Sequence, residues 1–313
     1  MKELSYPVQH GVSGVAKKVE PTYDIASRLN SLKFGGTTFA SNPVYNAASQ
    51  VESLNVGSLK TETYVYDQKT GLLFGQQVKQ GTTTNLSLSY NYTRNYDPGN
   101  NGPKTGQLTR VADVGTAYIN RHNIYDALGR LKEVRAGLDP ATPQWTQAYS
   151  YDRYGNRTGV TKTGSVPLDG LASLSYTNGQ GQTVNNRITT AGYIYDPAGN
   201  QTRGQTENGT WLRYRYDAAG RLAETLNDGG GNLEIHSYGA SNQRLKTDYI
   251  GGGGAPPTYY AWDGGQVIGD YRGSQVSASL SWEKFYVHMG GRLLATLDSG
   301  GTKYHQCRFG WSA

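Results

Sequence analysis

Apolar and polar residues alternate along short stretches of the chain, as the sequence WLRYRYD from Trp211 to Asp217 shows. Leu212, Tyr214 and Tyr216 lie two positions apart, so a strand places them on one face. The intervening tryptophan and arginines then share the opposite face. Helical periodicity is missing because clusters of Gly, Pro, Asn, Asp or Ser interrupt nearly every stretch before a long helix can form. The pattern therefore predicts an all-β protein.

The motif Tyr-Asp-x-x-Gly recurs along the chain with a period of about 22 residues. The clearest copies are YVYDQKTGLL from Tyr64, IYDALGRLKEV from Ile124, YSYDRYGNRTGV from Tyr149, YIYDPAGNQT from Tyr193 and YRYDAAGRLAE from Tyr214. Weaker copies are anchored by Tyr23, Tyr45, Tyr96, Tyr176, Tyr238 and Tyr260. A repeat of this length indicates one supersecondary unit stacked many times, and not a protein built around a single catalytic residue.

Each copy predicts a β-hairpin. Asp217 begins a turn because its carboxylate can bond backbone groups two residues on, and Gly220 supplies the positive φ that closes a short loop with a G1 bulge. Arg221 and Leu222 then begin the return strand. The residues predicted to form this structural turn motif are Tyr66, Asp67, Gly71, Tyr125, Asp126, Gly129, Tyr151, Asp152, Gly155, Tyr195, Asp196, Gly199, Tyr216, Asp217 and Gly220. We interpret them as framework, since turn aspartates and special-backbone glycines are architectural.

The copies resemble the YD-repeat, or RHS-repeat, family, whose motif is similar to the YRYDAAGRL of Tyr214 to Leu222. The resemblance extends over most of residues 20–305. Large members of the family include bacterial polymorphic toxins, insecticidal toxin-complex subunits and the animal teneurins. The resemblance implies that the tandem β-hairpins form a curved or spiralling antiparallel sheet, which is part of a hollow β-shell.

The resemblance also divides the chain into an N-terminal lead-in at 1–19, a repeat array at 20–284, a segment at 285–305 and an aberrant tail at 306–313. Residues 285–305 are similar to the lead-in to the family's RHS-associated core. The tail QCRFGWSA follows them where relatives have an Asp-His-Leu-Gly-Ser element. We therefore expect a chain that stops before the core, without the aspartates by which some relatives release their C-terminal cargo. It is either a truncated or frameshifted reading frame, a natural short protein, or a cassette that recombines with a larger one. Insertions at 97–105, 139–144, 228–232 and 251–257 are expected at hairpin tips.

Composition agrees with a β-array, since glycine contributes 42 of the 313 residues and tyrosine 25, against five phenylalanines and two methionines. Tyrosine buries its ring while its hydroxyl needs a hydrogen-bond partner, which suits a sheet that faces a partly polar cavity. The net charge of +6 is spread among the turns, and this arrangement does not favour a nucleic-acid interface. The sequence shows neither a signal peptide nor a membrane span. An extracellular or cell-surface location is implied by the resemblance alone.

Candidate catalytic chemistry is sparse. The histidines at positions 10, 122, 236, 288 and 305 are isolated and match no metal-ligand spacing. Cys307 has His305 two positions away but no third group to orient the pair. The tetraglycine at 251–254 lacks the Lys-Ser/Thr ending of a phosphate loop. The sequence therefore predicts no catalytic residue, no metal site and no cofactor.

These observations predict a non-enzymatic structural repeat protein, a fragment of the cargo-enclosing shell of a secreted, toxin-like or cell-surface protein. Its expected partners are the remainder of the shell and the enclosed C-terminal cargo. Open sheet edges predict self-association as well. The alternative is a carbohydrate-binding adhesion or recognition module, with Trp211 and Trp262 as glycan contacts. A hydrolytic enzyme embedded in the shell is a third hypothesis, for which the sequence offers no candidate residue.

Overall fold

The computed structural model describes residues 3–7, 17–93, 104–113, 120–165, 173–178, 185–206, 208–251, 255–273, 280–289 and 291–305. Within these residues every regular element is a β-strand. The strands of the first sheet are β1 (Leu4–Ser5), β2 (Lys18–Tyr23), β3 (Leu29–Phe34), β4 (Thr37–Tyr45), β5 (Val51–Val56), β6 (Lys60–Tyr66), β7 (Leu73–Gln80), β8 (Thr83–Asn91), β9 (Arg110–Asp113), β10 (Arg121–Tyr125), β11 (Leu131–Ala136), β12 (Trp145–Tyr151) and β13 (Arg157–Gly164).

The strands of the second sheet are β14 (Ile194–Tyr195), β15 (Gln201–Gln205), β16 (Trp211–Tyr216), β17 (Leu222–Asn227), β18 (Asn232–Tyr238), β19 (Arg244–Tyr249), β20 (Thr258–Asp263), β21 (Gln266–Gly273), β22 (Leu280–Met289), β23 (Arg292–Asp298) and β24 (Gly301–Tyr304). In both sheets the spatial order of the strands is their order in the chain, and neighbours run antiparallel. Consecutive hairpins give this order because each short turn returns the chain beside the strand it has just left. The predicted all-β fold of tandem hairpins is confirmed.

The chain forms two compact units. The terminal unit consists of Met1–Phe39 and Thr190–Cys307, and the central unit is formed mainly by Ala40–Thr189. The sequence suggested one continuous repeat array between a lead-in and a core-like segment, and those boundaries remain a prediction.

The core of the central unit is a mixed cluster on β7, β8 and β9. Leu86, Leu88 and Tyr90 alternate along β8 and are nearly fully buried, because side chains two positions apart share a face. They pack with Leu73, Val78, Tyr92 and Val111. Most of this interior is therefore aliphatic.

The core of the terminal unit is aromatic. The rings of Tyr6, Phe34 and Phe285 pack edge to face, with centroids 4.8 to 5.5 Å apart. Trp282 stacks on Phe285 at 5.0 Å. The Tyr6 hydroxyl also donates a hydrogen bond to the carbonyl of Tyr286 at 2.7 Å. Strands from the beginning and the end of the sequence thus share one core.

Two of the predicted insertions lie at hairpin tips as expected. Residues 139–144 lie between β11 and β12, and residues 228–231 connect β17 to β18. Most of the insertion at 97–105 and the glycines at 252–254 lie outside the described residues, as do Tyr96, His10, Cys307 and the tail at 306–313.

Candidate functional site

Hairpin turns in both units repeat one set of hydrogen bonds. In the turn of Asp217, carboxylate Oδ1 accepts the backbone N–H groups of Ala219 and Arg221, each at 2.9 Å. Oδ2 accepts the Nε–H of Arg221 at 2.7 Å. Gly220 closes the turn with φ 74°, and its N–H donates to the Asp217 carbonyl at 2.9 Å. The same set is centred on Asp126 with Arg130, Asp152 with Asn156 and Asp196 with Asn200.

The glycines of these turns all have positive φ, a conformation that other residues adopt at a steric cost. The φ values are 79° at Gly129, 90° at Gly155 and 97° at Gly199. The turn of Asp67 is one residue longer, so its glycine is Gly71, with φ 69°. There the carboxylate accepts the hydroxyl and the N–H of Thr70 and forms an ion pair with Lys104 at 3.1 Å.

Hydrogen-bond donors lower the pKa of the turn carboxylates. For Asp217 the largest cause is the backbone N–H of Arg221, followed, against the opposing effect of burial, by the Arg221 side chain. For Asp67 the hydroxyl of Thr70 is the largest cause, and the pKa falls to about 2. A group that stays ionised near neutral pH is poorly suited to general acid catalysis, because the pKa of such an acid should lie near the working pH.

A second repeated contact, which we call the stitch, joins several hairpins to the preceding one. The Tyr216 hydroxyl donates to the carbonyl of Gln201 at 2.9 Å, and the Tyr151 hydroxyl donates to that of Leu131 at 2.7 Å. In both cases the acceptor residue is five positions after the preceding turn aspartate. Tyr125 and Tyr238 form the same bond to Leu108 and Leu222, at 2.9 and 2.8 Å. These four tyrosines are therefore tied to the hairpin before them.

Trp262 and His288 take the place of the tyrosine in two stitches. The indole Nε1–H of Trp262 donates to the carbonyl of Arg244 at 2.9 Å. His288 Nε2 lies 3.0 Å from the carbonyl of Val267, so this nitrogen carries the proton. The sequence proposed Trp262 as a glycan contact and did not reveal this framework role. Aligning YAWD from Tyr260 with YRYD from Tyr214 would have supplied the signal.

A third contact runs forward from several turns to the next turn along the chain. Arg130 Nη1 donates to the carbonyl of Asp152 at 2.9 Å, and its guanidinium lies 4.7 Å from the centre of the Tyr151 ring. Arg221 Nη1 likewise donates to the carbonyl of Gly239 at 3.2 Å, and the guanidinium of Arg221 lies over the ring of Tyr238. Glutamine amides replace arginine in three turns, Gln50 to Gly71, Gln107 to Gly129 and Gln243 to Gly264. Neighbouring turns are thereby linked in both directions.

The ring of Trp211 is packed among framework groups. The Arg203 guanidinium lies 4.3 Å from its centre, and the Tyr193 ring meets it edge-on at 5.3 Å. A Cβ on Gly192 would lie only 2.5 Å from the ring, so the backbone also approaches it closely. These contacts give Trp211 a packing role.

A polar ladder crosses part of the terminal unit. His236 Nδ1 lies 3.2 Å from Thr247 Oγ1, and the Tyr260 hydroxyl donates to the same oxygen at 3.2 Å. Asp270 pairs with Tyr260 across the sheet. It thus occupies the position that Thr247 has opposite His236 in the preceding hairpin. Its Oδ2 accepts the hydroxyl of Tyr286 at 2.6 Å, and burial raises its pKa. The sequence missed Asp270, since its position depends on strand register.

A cavity of about 900 Å³ lies in the central unit beside the turn of Asp126. His122 lines it and is 3% exposed, and burial lowers the pKa of its imidazole.

No cluster of three or more His, Cys, Asp or Glu side chains suited to a metal ion is present in the described part of the chain. The same residues include no helix long and apolar enough to cross a membrane.

No protein-family model and no curated protein matches the chain. Solved structures of Tc toxins have a similar fold. The TcdB2-TccC3-TEV structure aligns over 91% of this chain with a TM-score of 0.57 and 18% identity. A Photorhabdus luminescens Tc holotoxin pore aligns over 96% with a TM-score of 0.58 and 17% identity. This chain spans 16% and 17% of the length of those two chains. The likeness supports the RHS- or YD-like fold that the repeats implied.

Proposed function

We propose that this chain is a non-enzymatic section of the wall of a cargo-enclosing RHS-type shell in a secreted, toxin-like complex. The observation that carries the proposal is the way in which consecutive hairpins are joined. The stitch and the forward bond from the turn reinforce the backbone ladder in both units. The Tc toxin structures, which share this fold, support the assignment.

The mechanism of such a wall is steric enclosure, which requires no cofactor. Motif tyrosines such as Tyr216 and turn arginines such as Arg221 bond neighbouring hairpins together, while the aspartates and glycines shape each turn. The partners would be the remainder of the shell and its enclosed C-terminal cargo, in an extracellular or cell-surface setting.

Self-association is part of the proposal. The outermost strands in the order of the two sheets are β1, β13, β14 and β24. The outer side of an edge strand presents N–H and C=O groups that another chain can pair. Copies of this chain are therefore expected to assemble through these strands.

The test is protection of a tethered cargo from protease. An unfolded, protease-sensitive reporter is fused after residue 313, and the fusion is separated into assembled and monomeric fractions by size-exclusion chromatography with light scattering. We expect the reporter in the assembled fraction to be digested at least about tenfold more slowly than in the monomer, since enclosure limits access to the open chain. The same reporter on an unrelated β-protein is the control.

Equal digestion in both fractions, or a chain that is monomeric at all concentrations with an unprotected reporter, would contradict the wall function.

Glycan recognition is the second candidate function, and one observation favours it. The ring of Trp262 lines an open cleft of the terminal unit together with charged side chains. The packing around Trp211 gives no such support at the other predicted glycan contact. The candidate is therefore restricted to Trp262.

A further inference from the structure

The cleft beside Trp262 lies on the face of the sheet formed by β18 to β22. It has a volume of about 430 Å³, within the range of small-molecule sites. Tyr260, Trp262 and Tyr286 supply aromatic surface, while Asn242, Arg244 and Asp270 supply polar groups. All of them belong to the terminal unit.

Asp270 occupies a position at which the neighbouring hairpins have threonine. The residues that pair with the equivalent positions Tyr214, His236 and Tyr286 are the threonines Thr225, Thr247 and Thr296. A threonine hydroxyl satisfies such a position without a charge. The framework therefore does not require a carboxylate at this place.

The carboxylate of Asp270 has unused acceptor capacity. Oδ2 accepts the Tyr286 hydroxyl, whereas Oδ1 is buried and has no hydrogen-bond partner among the described residues. A buried polar atom without a partner is unfavourable and indicates a missing ligand, ion or water. Asp270 lines the cleft, and χ2 is a soft torsion in aspartate, so its carboxylate can turn an oxygen towards a donor bound there.

Arg244 supplies donors at the same cleft. Its side chain is exposed, it forms no ion pair within the described residues, and its guanidinium lies 5.1 Å from the centre of the Tyr260 ring. An acidic and a basic group thus line one cleft without bonding to each other. A cationic ligand would meet the guanidinium, and an anionic ligand would meet the carboxylate. A neutral molecule with both donors and acceptors fits both groups.

We propose that this cleft binds a neutral sugar residue, with a hydroxyl donating to Asp270, Arg244 donating to a ring or hydroxyl oxygen, and a C–H face packed on the aromatic rings. Sugars present hydroxyl groups around an apolar ring face, which matches this combination of side chains. The inference deepens the glycan-recognition candidate and rests on it. It is independent of the wall function, because cargo protection requires no ligand.

The test uses the full chain and methyl glycosides of glucose, galactose, mannose and N-acetylglucosamine. Binding is measured by saturation-transfer nuclear magnetic resonance and by isothermal titration calorimetry. We expect saturable binding of at least one glycoside. Asp270→Thr should weaken it by about tenfold or more, because a hydrogen bond to a charged acceptor is lost. The melting temperature of this variant should remain the same or rise, since it restores the threonine of the neighbouring hairpins and removes a buried charge.

Asp228→Asn is the matched control, because Asp228 is paired with Arg203 and Arg213 away from the cleft. Its sugar affinity should equal that of the unmodified chain. Arg244→Gln provides a second variant and should also weaken binding. Absence of binding for all four glycosides would overturn the proposal. So would equal affinity in Asp270→Thr, or selective binding of choline or glycine betaine at the cleft. Each of these results leaves the reporter-protection experiment unaffected.

Discussion

The terminal and central units build their hairpins with the same turn but fill their interiors differently. The buried cluster of the central unit is mostly aliphatic and comes from neighbouring strands, as with Val78 and Leu88. The terminal unit centres on Phe285 in an aromatic core drawn from both ends of the sequence, and it carries a polar ladder through Thr247. Turns and stitches therefore determine how strands follow one another, while the interior varies within that framework.

The largest effect on stability should come from shortening a buried side chain in either core. Phe285→Ala is expected to lower the free energy of unfolding by about 3–5 kcal/mol, because its ring contacts several aromatic rings that cannot all close the cavity. Leu88→Ala in the central unit should cost about 2–5 kcal/mol. Urea denaturation followed by circular dichroism measures both. Val65→Ala is the control, since Val65 is 60% exposed and should change stability little. A loss at Phe285 no greater than at Val65 would refute the aromatic core.

Turn glycines should give the next largest effect, and the same one in both units. Gly220→Val and Gly155→Val are each expected to cost about 1–3 kcal/mol, because a β-branched residue is forced to positive φ. A Cβ at either position meets no atom within 4 Å, so the effect isolates backbone strain. Gly265 is a matched control with equally open space and no positive φ, and Gly265→Val should be much milder. Thermal denaturation gives the comparison. A neutral result at Gly220 would disprove the turn assignment.

Removing a stitch hydroxyl should have a smaller effect. Tyr216→Phe in the terminal unit and Tyr125→Phe in the central unit should each cost about 0.5–1.5 kcal/mol, since one intramolecular hydrogen bond is lost while the ring remains. Tyr23→Phe serves as the control, because Tyr23 is 48% exposed. Urea denaturation of the three variants tests whether the stitch works alike in both units. Equal stability of Tyr216→Phe and Tyr23→Phe would show that the stitch contributes nothing.

The smallest expected effect is on pH dependence. Asp67 and Asp228 both have a pKa of about 2, caused first by the Thr70 hydroxyl and by the Arg203 guanidinium respectively. A carboxyl pKa below its unfolded value of about 3.9 stabilises the fold above that pH, and the contribution is lost as pH falls towards 2. The urea midpoint should therefore decline between pH 4 and pH 2 (roughly the interval between the two pKa values), and less steeply in Asp67→Asn and Asp228→Asn.

Added salt should distinguish the contributions of Asp67 and Asp228 to stability. Screening should weaken the contribution of Asp228, whose partners are charged arginines, more than that of Asp67, whose first partner is a neutral hydroxyl. Equal salt sensitivity would contradict this distinction.

Local sequence patterns predicted the hairpins because everything that forms a turn lies within a few residues. The spacing of Asp126 and Gly129 is sufficient to specify a backbone conformation, and the structure has that conformation. The stitch could be predicted only in part from the sequence. A tyrosine hydroxyl was expected to need a partner, but the identity of the acceptor depends on the packing of one hairpin beside another.

The remaining features depend on distant contacts. Tyr6 and Phe285 share a core although no periodicity relates their positions. Asp270 resembles any strand aspartate until its register with Tyr260 is known. The two compact units could not be predicted either, because the repeat continues through 190 while the contacts divide the chain there.

The hydrogen bond from Tyr6 to the carbonyl of Tyr286 joins positions 280 residues apart, which has a consequence during synthesis. At about 5–20 residues per second, a ribosome needs about 14–56 s to make the chain between them. Throughout that interval Tyr6 and Phe34 lack the ring of Phe285, whereas the hairpins of the central unit find their partners mainly within Ala40–Thr189, well before the end of the chain is made. The aromatic residues that emerge first are thus among the last to be buried, and their apolar surface stays exposed until translation is nearly complete.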